Sequence, residues 1–183
     1  MRGFEENFYI CLSMEKQNEI RKAGIGDIPA IREMAQVVFR RTYRDILSPD
    51  QMEYMMDMMY SEESLRRQMT EQRNVFLVCE GRAYAAFRPD GTASDGRPRF
   101  HLEKLYVMPS EQGTGLGRKM FDACVSEISK SLSGAAFLLE LNVNRYNSAV
   151  TFYEHIGMRR ARQGDFPIGH GYYMNDYIMA LDC

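Results

Sequence analysis

The 183-residue sequence lacks three features that would mark a particular class of protein: a large net charge, a cysteine framework and a long apolar run. The formal net charge of -2 provides no broad basic field, which argues against general binding to nucleic acid or to an anionic membrane surface. The four cysteines form no CxxC pair and have no histidine at ligand spacing, so neither a zinc site nor a disulfide framework is indicated. This composition predicts a cytoplasmic protein with reduced thiols, no metal and a small-molecule partner.

The start of the chain carries neither the basic segment nor the longer apolar stretch of a secretory signal, and no later stretch is long enough to span a bilayer. We expect residues 1–19 to form an extension outside the folded domain. Residues 20–183 have the length and hydrophobic content of one domain with a real core. A single domain with no membrane segment is therefore predicted.

Strand and helix patterns alternate along that domain. Glu80 and Gly81 separate two apolar runs and predict a hairpin, whereas residues 89–98 have turn chemistry and predict an exposed loop. The order of elements indicates a mixed α/β (α+β) fold rather than a helical bundle. Strands are predicted at 19–23, 75–79, 82–88, 100–107, 138–143 and 172–181, and helices at 28–39, twice within 47–69, at 115–130 and at 147–156.

Four methionines recur at helical spacing in the second of these helical regions: Met52, Met55, Met56 and Met59. Such residues could line an adaptable surface for an acceptor molecule. Filling of the core is the commoner use of methionine, and we favour that interpretation.

The most informative segment is a glycine-rich turn, Gln112-Gly113-Thr114-Gly115-Leu116-Gly117, which lies between a predicted strand and a predicted helix. Glycines let a ligand approach the backbone, and the free amides at a helix start can bind a diphosphate. The spacing matches neither the dinucleotide fingerprint nor a P-loop. Taken alone, the turn is equally explained as a simple helix cap.

The string LYVMPSEQGTGLG resembles the coenzyme A loop of the GNAT family of N-acetyltransferases, with Gln112, Gly115 and Gly117 at the family's motif positions. The resemblance implies that the turn amides bind the coenzyme diphosphate and that the preceding strand pairs with the pantetheine arm. The residues implicated by position are Leu105, Tyr106, Val107, Gln112, Gly113, Thr114, Gly115, Leu116, Gly117 and Arg118.

A second segment, LLELNVNRYNSAVTFYEHIGM, resembles the later strand-helix unit of the same family. Helical spacing places Tyr153 on the apolar face, where it is either the family's tyrosine or a core residue with a satisfied hydroxyl. Asn147 is the best match to the family asparagine that contacts the coenzyme, although it lies one position closer to the tyrosine than usual. Asn142 and Asn144 could share that role, and Asn147 could instead cap the helix.

The resemblance covers residues 20–183 and implies a mostly antiparallel sheet of about six to seven strands flanked by helices. It implies an enzyme that moves an acetyl group from acetyl-CoA to a primary amine by direct attack, without a metal or an acetylated cysteine. Tyr153 is the expected general acid toward the departing thiolate. Glu103 and His101 are the candidate bases, because an extended strand would place both on one face with Leu105.

The acceptor is less clearly specified by the sequence. A hint of the bacterial branch that includes polyamine acetyltransferases favours a polyamine or another small amine, and Asp45, Asp50 and Asp176 could supply acidity to an acceptor cleft. The alternatives are a protein N-terminus or lysine as acceptor, or a non-catalytic regulator that binds acyl-CoA. Paired subunits are common in the family, so the resemblance also implies a homodimer as a candidate assembly.

Overall fold

The computed structural model describes residues 19–183, so the extension predicted at 1–19 lies, apart from its last residue, outside the described residues. Within these residues, five α-helices, two 3-10 turns and seven strands follow one another in a single mixed α/β arrangement. Their bounds are β1 Ile20–Lys22, α1 Ile28–Tyr43, α2 Pro49–Tyr60, α3 Glu62–Thr70, β2 Val75–Cys79, β3 Ala83–Thr92, β4 Pro98–Val107, α4 Leu116–Ser131, β5 Leu138–Asn144, α5 Ala149–His155, β6 Arg159–Gly169 and β7 Tyr172–Asp182.

The strands form one seven-stranded sheet in the order β1-β2-β3-β4-β5-β7-β6. Every neighbouring pair is antiparallel except β4 and β5, which run parallel. The predicted class and the predicted mostly antiparallel sheet are both confirmed.

Two parts of the sheet differ from the prediction. The segment Arg159–Gly169 forms the edge strand β6, although its charges, glycines and proline give no strand pattern. Pairing with β7 makes it a strand, since an edge strand needs only one partner and tolerates polar side chains. The loop predicted at 89–98 is also shorter, because β3 continues to Thr92 and pairs there with Pro98 of β4.

Helices cover the sheet on both faces and bury one apolar core on each. Helices α4 and α5 cover one core, with Met120 and Ile128 fully buried against it. The N-terminal helices α1, α2 and α3 cover the other, which contains Met52, Met55 and Met56. Burial of such a side chain stabilises the fold by about 1.5–3 kcal/mol. The interpretation of these methionines as core residues is confirmed.

Strand β4 contains a bulge that reorients the residues after it. Phe87 pairs with Leu102 whereas Ala86 pairs with Lys104, so Glu103 is an extra residue in β4. Leu102 and Leu105 therefore both pack toward the α4 and α5 core, despite their odd separation. His101 alternates with Leu102 and faces the opposite side, so the predicted common face of His101, Glu103 and Leu105 is wrong.

The parallel pairing of β4 with β5 ends early. It covers Arg99–His101 against Leu138–Glu140, after which the two strands separate while each continues. The edge of β4 from Leu102 to Val107 thus loses its β5 partner and borders an open wedge. This wedge positions the candidate site.

Candidate active site

A cleft of about 730 Å³ occupies the wedge between β4 and β5. Its walls are the free edge of β4, the start of α4, the helix α5 and the C-terminal end of α1. The lining includes most of the predicted site residues, namely Glu103, Leu105, Tyr106, Val107, Gln112, Gly113, Gly115, Gly117, Arg118, Asn142, Asn147 and Tyr153.

The glycine turn leaves its amides available at the start of α4. Gly113 and Gly115 have φ values of +81° and +85°, a conformation that glycine adopts without the Cβ penalty of other residues. Within the described part of the chain, the N–H groups of Leu116, Gly117 and Arg118 donate to no backbone carbonyl. The helix dipole adds a partial positive charge at the same point, so the turn is suited to an anion.

Other members of the turn have structural contacts. The side chain of Gln112 donates from Nε2 to the carbonyl of Val107 at 3.3 Å, which ties the turn to the end of β4. Thr114 Oγ1 donates to the carbonyl of Glu111 at 2.7 Å, and the Leu116 side chain is buried in the core. Thr114 and Leu116 do not line the cleft, so any contact they make with a coenzyme would involve the backbone.

Tyr153 lies in the cleft wall and is 8% exposed. Its hydroxyl forms no hydrogen bond with another described residue, unlike the satisfied core tyrosine considered as an alternative. Burial raises the pKa of Tyr153, so the phenol keeps its proton at neutral pH. The nearby thiol of Cys124 is fully buried, and burial raises its pKa to about 12, which leaves it protonated and poorly nucleophilic.

The two candidate bases lie in different surroundings. Glu103 lines the cleft, but its carboxylate accepts a hydrogen bond from Arg88 Nε at 2.6 Å. His101 is outside the cleft lining, because β4 is still paired with β5 at this point, opposite Glu140, and burial lowers the pKa of its imidazole. Of the two candidate bases, the structure therefore brings only Glu103 to the cleft, and its carboxylate is already paired with the Arg88 guanidinium.

The asparagines have partners within the protein. Asn147 Oδ1 accepts from the amide of Ala149 at 2.9 Å, but the N-cap of α5 is Ser148, so Asn147 precedes the cap, and it lines the cleft. Asn142 Nδ2 donates to Asp176 Oδ2 at 3.1 Å. Asn144 is buried outside the lining, and its Oδ1 accepts from the amide of Tyr146 at 3.0 Å.

Two features near the cleft had no clear signal in the sequence. Tyr43 ends α1 and lines the cleft, although its position continues an ordinary apolar stripe. Lys104 is buried beside the bulge, and its Nζ donates to Gln68 Oε1 at 2.7 Å. Asp176 was considered only for its acidity, yet its place between the buried Met174 and Ile178 of β7 was a usable sign of burial.

In the described residues 19–183, no cluster of three or more histidine, cysteine or acidic side chains is arranged to hold a metal ion. Across the same residues, none of the helices combines the length and apolarity needed to cross a bilayer.

A family model described as "Acetyltransferase (GNAT) domain" matches residues 43–166, more than half of the chain. Among curated proteins, none matches this sequence.

Solved structures of N-acetyltransferases share the fold at low identity. The PaiA N-acetyltransferase from Thermoplasma acidophilum, in complex with coenzyme A, is 22% identical with a TM-score of 0.70 over 90% of this chain and 98% of that one. The ribosomal-protein-S18-alanine N-acetyltransferase from Escherichia coli is 24% identical with a TM-score of 0.61 over 90% and 92%. NAA60 from Arabidopsis thaliana, in complex with a bisubstrate analogue, is 13% identical with a TM-score of 0.63 over 90% and 98%.

Proposed function

This chain belongs to the GNAT acetyltransferase family, and on that premise we propose that it transfers the acetyl group of acetyl-CoA directly to a primary amine. The observation that carries the proposal is the row of unpartnered amides at the start of α4, next to the free edge of β4. An acyl donor held there would present its thioester to the wedge, and holding both reactants together removes much of the entropic barrier.

The residues present fit a coenzyme with a diphosphate and an amide-containing arm. The amides from Gln112 to Arg118 would bind the diphosphate, and the β4 edge at Leu105–Val107 would pair with the arm. Acetyl-CoA supplies the activated acetyl group when bound. That the Thermoplasma relative was solved with coenzyme A supports this assignment.

Tyr153 is the proposed general acid. Its hydroxyl is at the cleft, has no other described partner and stays protonated at neutral pH. The departing thiolate has a solution pKa of about 8.5 and an ordinary phenol one of about 10, so Tyr153 would hydrogen-bond the leaving sulfur and give it the proton as a proton from the nitrogen reaches the phenol oxygen. A backbone amide near Val107 would stabilise the oxyanion of the tetrahedral intermediate.

The proton of the attacking amine needs a separate acceptor, because an alkylamine with a pKa of about 10 is mostly protonated at neutral pH. Glu103 is the one of the two sequence candidates that lines the cleft, and it would relay through water the proton that the nitrogen loses during attack, while it is shared with Arg88. His101 could contribute only indirectly, since it faces away from Leu105.

The acceptor proposed is a small amine, such as a polyamine, in a cytoplasmic setting. A protein N-terminus is the second candidate, because the relative from Escherichia coli is named for an alanine of a ribosomal protein as its acceptor. Tyr146, which lines the cleft and is 77% exposed, would contact such a peptide at the mouth. Pairing of two subunits remains a prediction.

A screen of amines and short peptides with acetyl-CoA, with released thiol as the readout, tests the function. We expect thiol release that depends on one class of acceptor. Binding of coenzyme A without acceptor-dependent thiol release would instead support the non-catalytic regulator and contradict the proposal.

A further inference from the structure

One carboxylate beside the cleft has no cationic partner. Asp176 of β7 is 4% exposed and forms no ion pair within residues 19–183. Its Oδ2 accepts from Asn142, but its Oδ1 is buried without any hydrogen-bond partner. The other acidic side chains at the cleft each have an arginine: Glu103 with Arg88, Glu111 with Arg82 and Asp45 with Arg44.

An unpartnered buried oxygen is costly for the fold. An unsatisfied polar group costs about 1–3 kcal/mol, and a charged one costs more. Burial accordingly raises the pKa of Asp176. A donor that arrives with a ligand would remove this cost, and a cationic N–H donor would remove most of it.

Asp176 lies behind the cleft wall rather than in its lining, and Asn142 connects it to the cleft. It pairs with Asn144 on β5, the strand that forms one side of the wedge, and it lies on the same face of β7 as Met174, which packs against the N-terminal helices. Asn142, whose amide reaches Asp176, lines the cleft.

Two titratable or charged groups face Asp176. The cleft residue Tyr43, at the end of α1, lies near Asp176. Burial raises the pKa of Tyr43, and the charge of Asp176 raises it further. After β5, Arg145 lies nearby, but it is bound by Asp165 of β6. Tyr43 also lies near the proposed acid, Tyr153. Burial raises the pKa of Tyr153, and the nearby Tyr43 raises it further. The phenol of Tyr43 therefore neighbours both a proton donor and a free carboxylate.

We propose that Asp176 is the anionic subsite that binds the ammonium group of the acceptor at its free Oδ1, directly or through one water, and takes up its proton before attack. This assignment rests on the proposed acetyl transfer and restricts the acceptor to an amine that is cationic in solution.

The resulting step balances in atoms and charge. The ammonium gives one proton to Asp176, and the nitrogen lone pair forms the C–N bond while the C–S bond breaks. The thiolate takes the proton of Tyr153, and the second nitrogen proton passes through water and the Glu103 carboxylate to that phenolate. Asp176 then releases its proton to solvent, so one ammonium and one thioester give one amide, one thiol and one free proton.

The test is the variant Asp176→Asn, compared with the wild type on two acceptors. One is the best primary amine from the thiol-release screen, and the other is its β,β-difluorinated analogue, whose nitrogen is far less protonated at neutral pH because each fluorine lowers the pKa of the amine. We expect kcat/KM to fall about 100-fold or more for the first amine, and by much less for the analogue, because the analogue does not need the base. Affinity for coenzyme A should not change.

Asp182→Asn is the matched control, since it removes an exposed carboxylate from the same strand far from the cleft. If Asp176→Asn does not fold, Asp176→Ser is measured in its place. An equal loss for both amines, or no loss for either, would overturn the assignment. If the wild type acetylates no amine at all, the proposed function fails instead, and the two failures are thus distinguishable.

Discussion

At the scale of single residues, Tyr153 is buried and lines the cleft, and its hydroxyl has no hydrogen-bond partner among the described residues. We predict that Tyr153→Phe lowers kcat by about 100-fold or more, because the thiolate loses its proton donor, while the affinity for acetyl-CoA stays the same. Steady-state kinetics and calorimetry measure the two quantities. Tyr173→Phe, at a 54% exposed position outside the cleft, is the control. A variant of Tyr153 with full turnover would rule out the role of general acid.

Lys104 of β4 is a buried cation on the face of the sheet that the N-terminal helices cover. Its ammonium contacts Gln68 and lies 5.6 Å from the ring centroid of Tyr60, and burial lowers its pKa to about 8. A lowered lysine pKa means that the unfolded chain binds the proton more tightly, so the folded state is penalised below pH 8 and gains stability as the pH rises from 8 toward 10.5.

We therefore predict that the wild type gains about 2 kcal/mol in unfolding free energy relative to Lys104→Met between pH 7 and pH 10. Urea unfolding of both proteins at the two pH values measures the difference. Lys119→Met, which removes an exposed lysine, should show no such change. A pH-independent difference for Lys104→Met would show that the buried amine has an ordinary pKa.

At the scale of elements, the start of α4 depends on a glycine with positive φ. We predict that Gly115→Ala weakens coenzyme A binding, because the new Cβ projects into the open space from which the phosphates would approach. Gly134→Ala is a close control, since Gly134 follows the same helix with a φ of +82° and equally open surroundings. Both should lose about 1–2 kcal/mol of stability through backbone strain, but only Gly115→Ala should lose affinity. Equal affinities in calorimetry would contradict the role of the turn.

The sequence was sufficient for elements whose residues carry their own pattern. The helix α4 and the strand β5 were predicted within one residue at each end, because their apolar spacing and glycine turn are local signals. Strand β6 and the bulge at Glu103 were missed, because both arise from pairing with another strand. The bulge is also why the predicted face shared by His101 and Leu105 was wrong.

The candidate site divides in the same way. The glycine turn and Tyr153 were found from local motifs, and both line the cleft. Tyr43 and Asp176 come from segments more than 130 residues apart in the sequence, and only the folded sheet brings them near each other. Their juxtaposition could not have been read from either segment alone.

At the scale of the whole molecule, the seven-stranded sheet and the core on each of its faces lie within residues 19–183. We predict that deletion of residues 1–18 leaves kcat and the melting temperature unchanged, because no described cleft residue lies before Arg41. Thermal unfolding and the thiol-release assay test this. Loss of turnover in the shortened chain would show that the extension contributes to the site.

The proposed transfer depends on the amides at the start of α4, which would bind a diphosphate and thereby position the thioester in the cleft. Calorimetric titration of the full chain with coenzyme A, alongside pantetheine, which lacks the diphosphate, tests it most directly. We predict saturable binding of coenzyme A and far weaker binding of pantetheine. Equal binding of the two compounds, or no binding of coenzyme A, would contradict it.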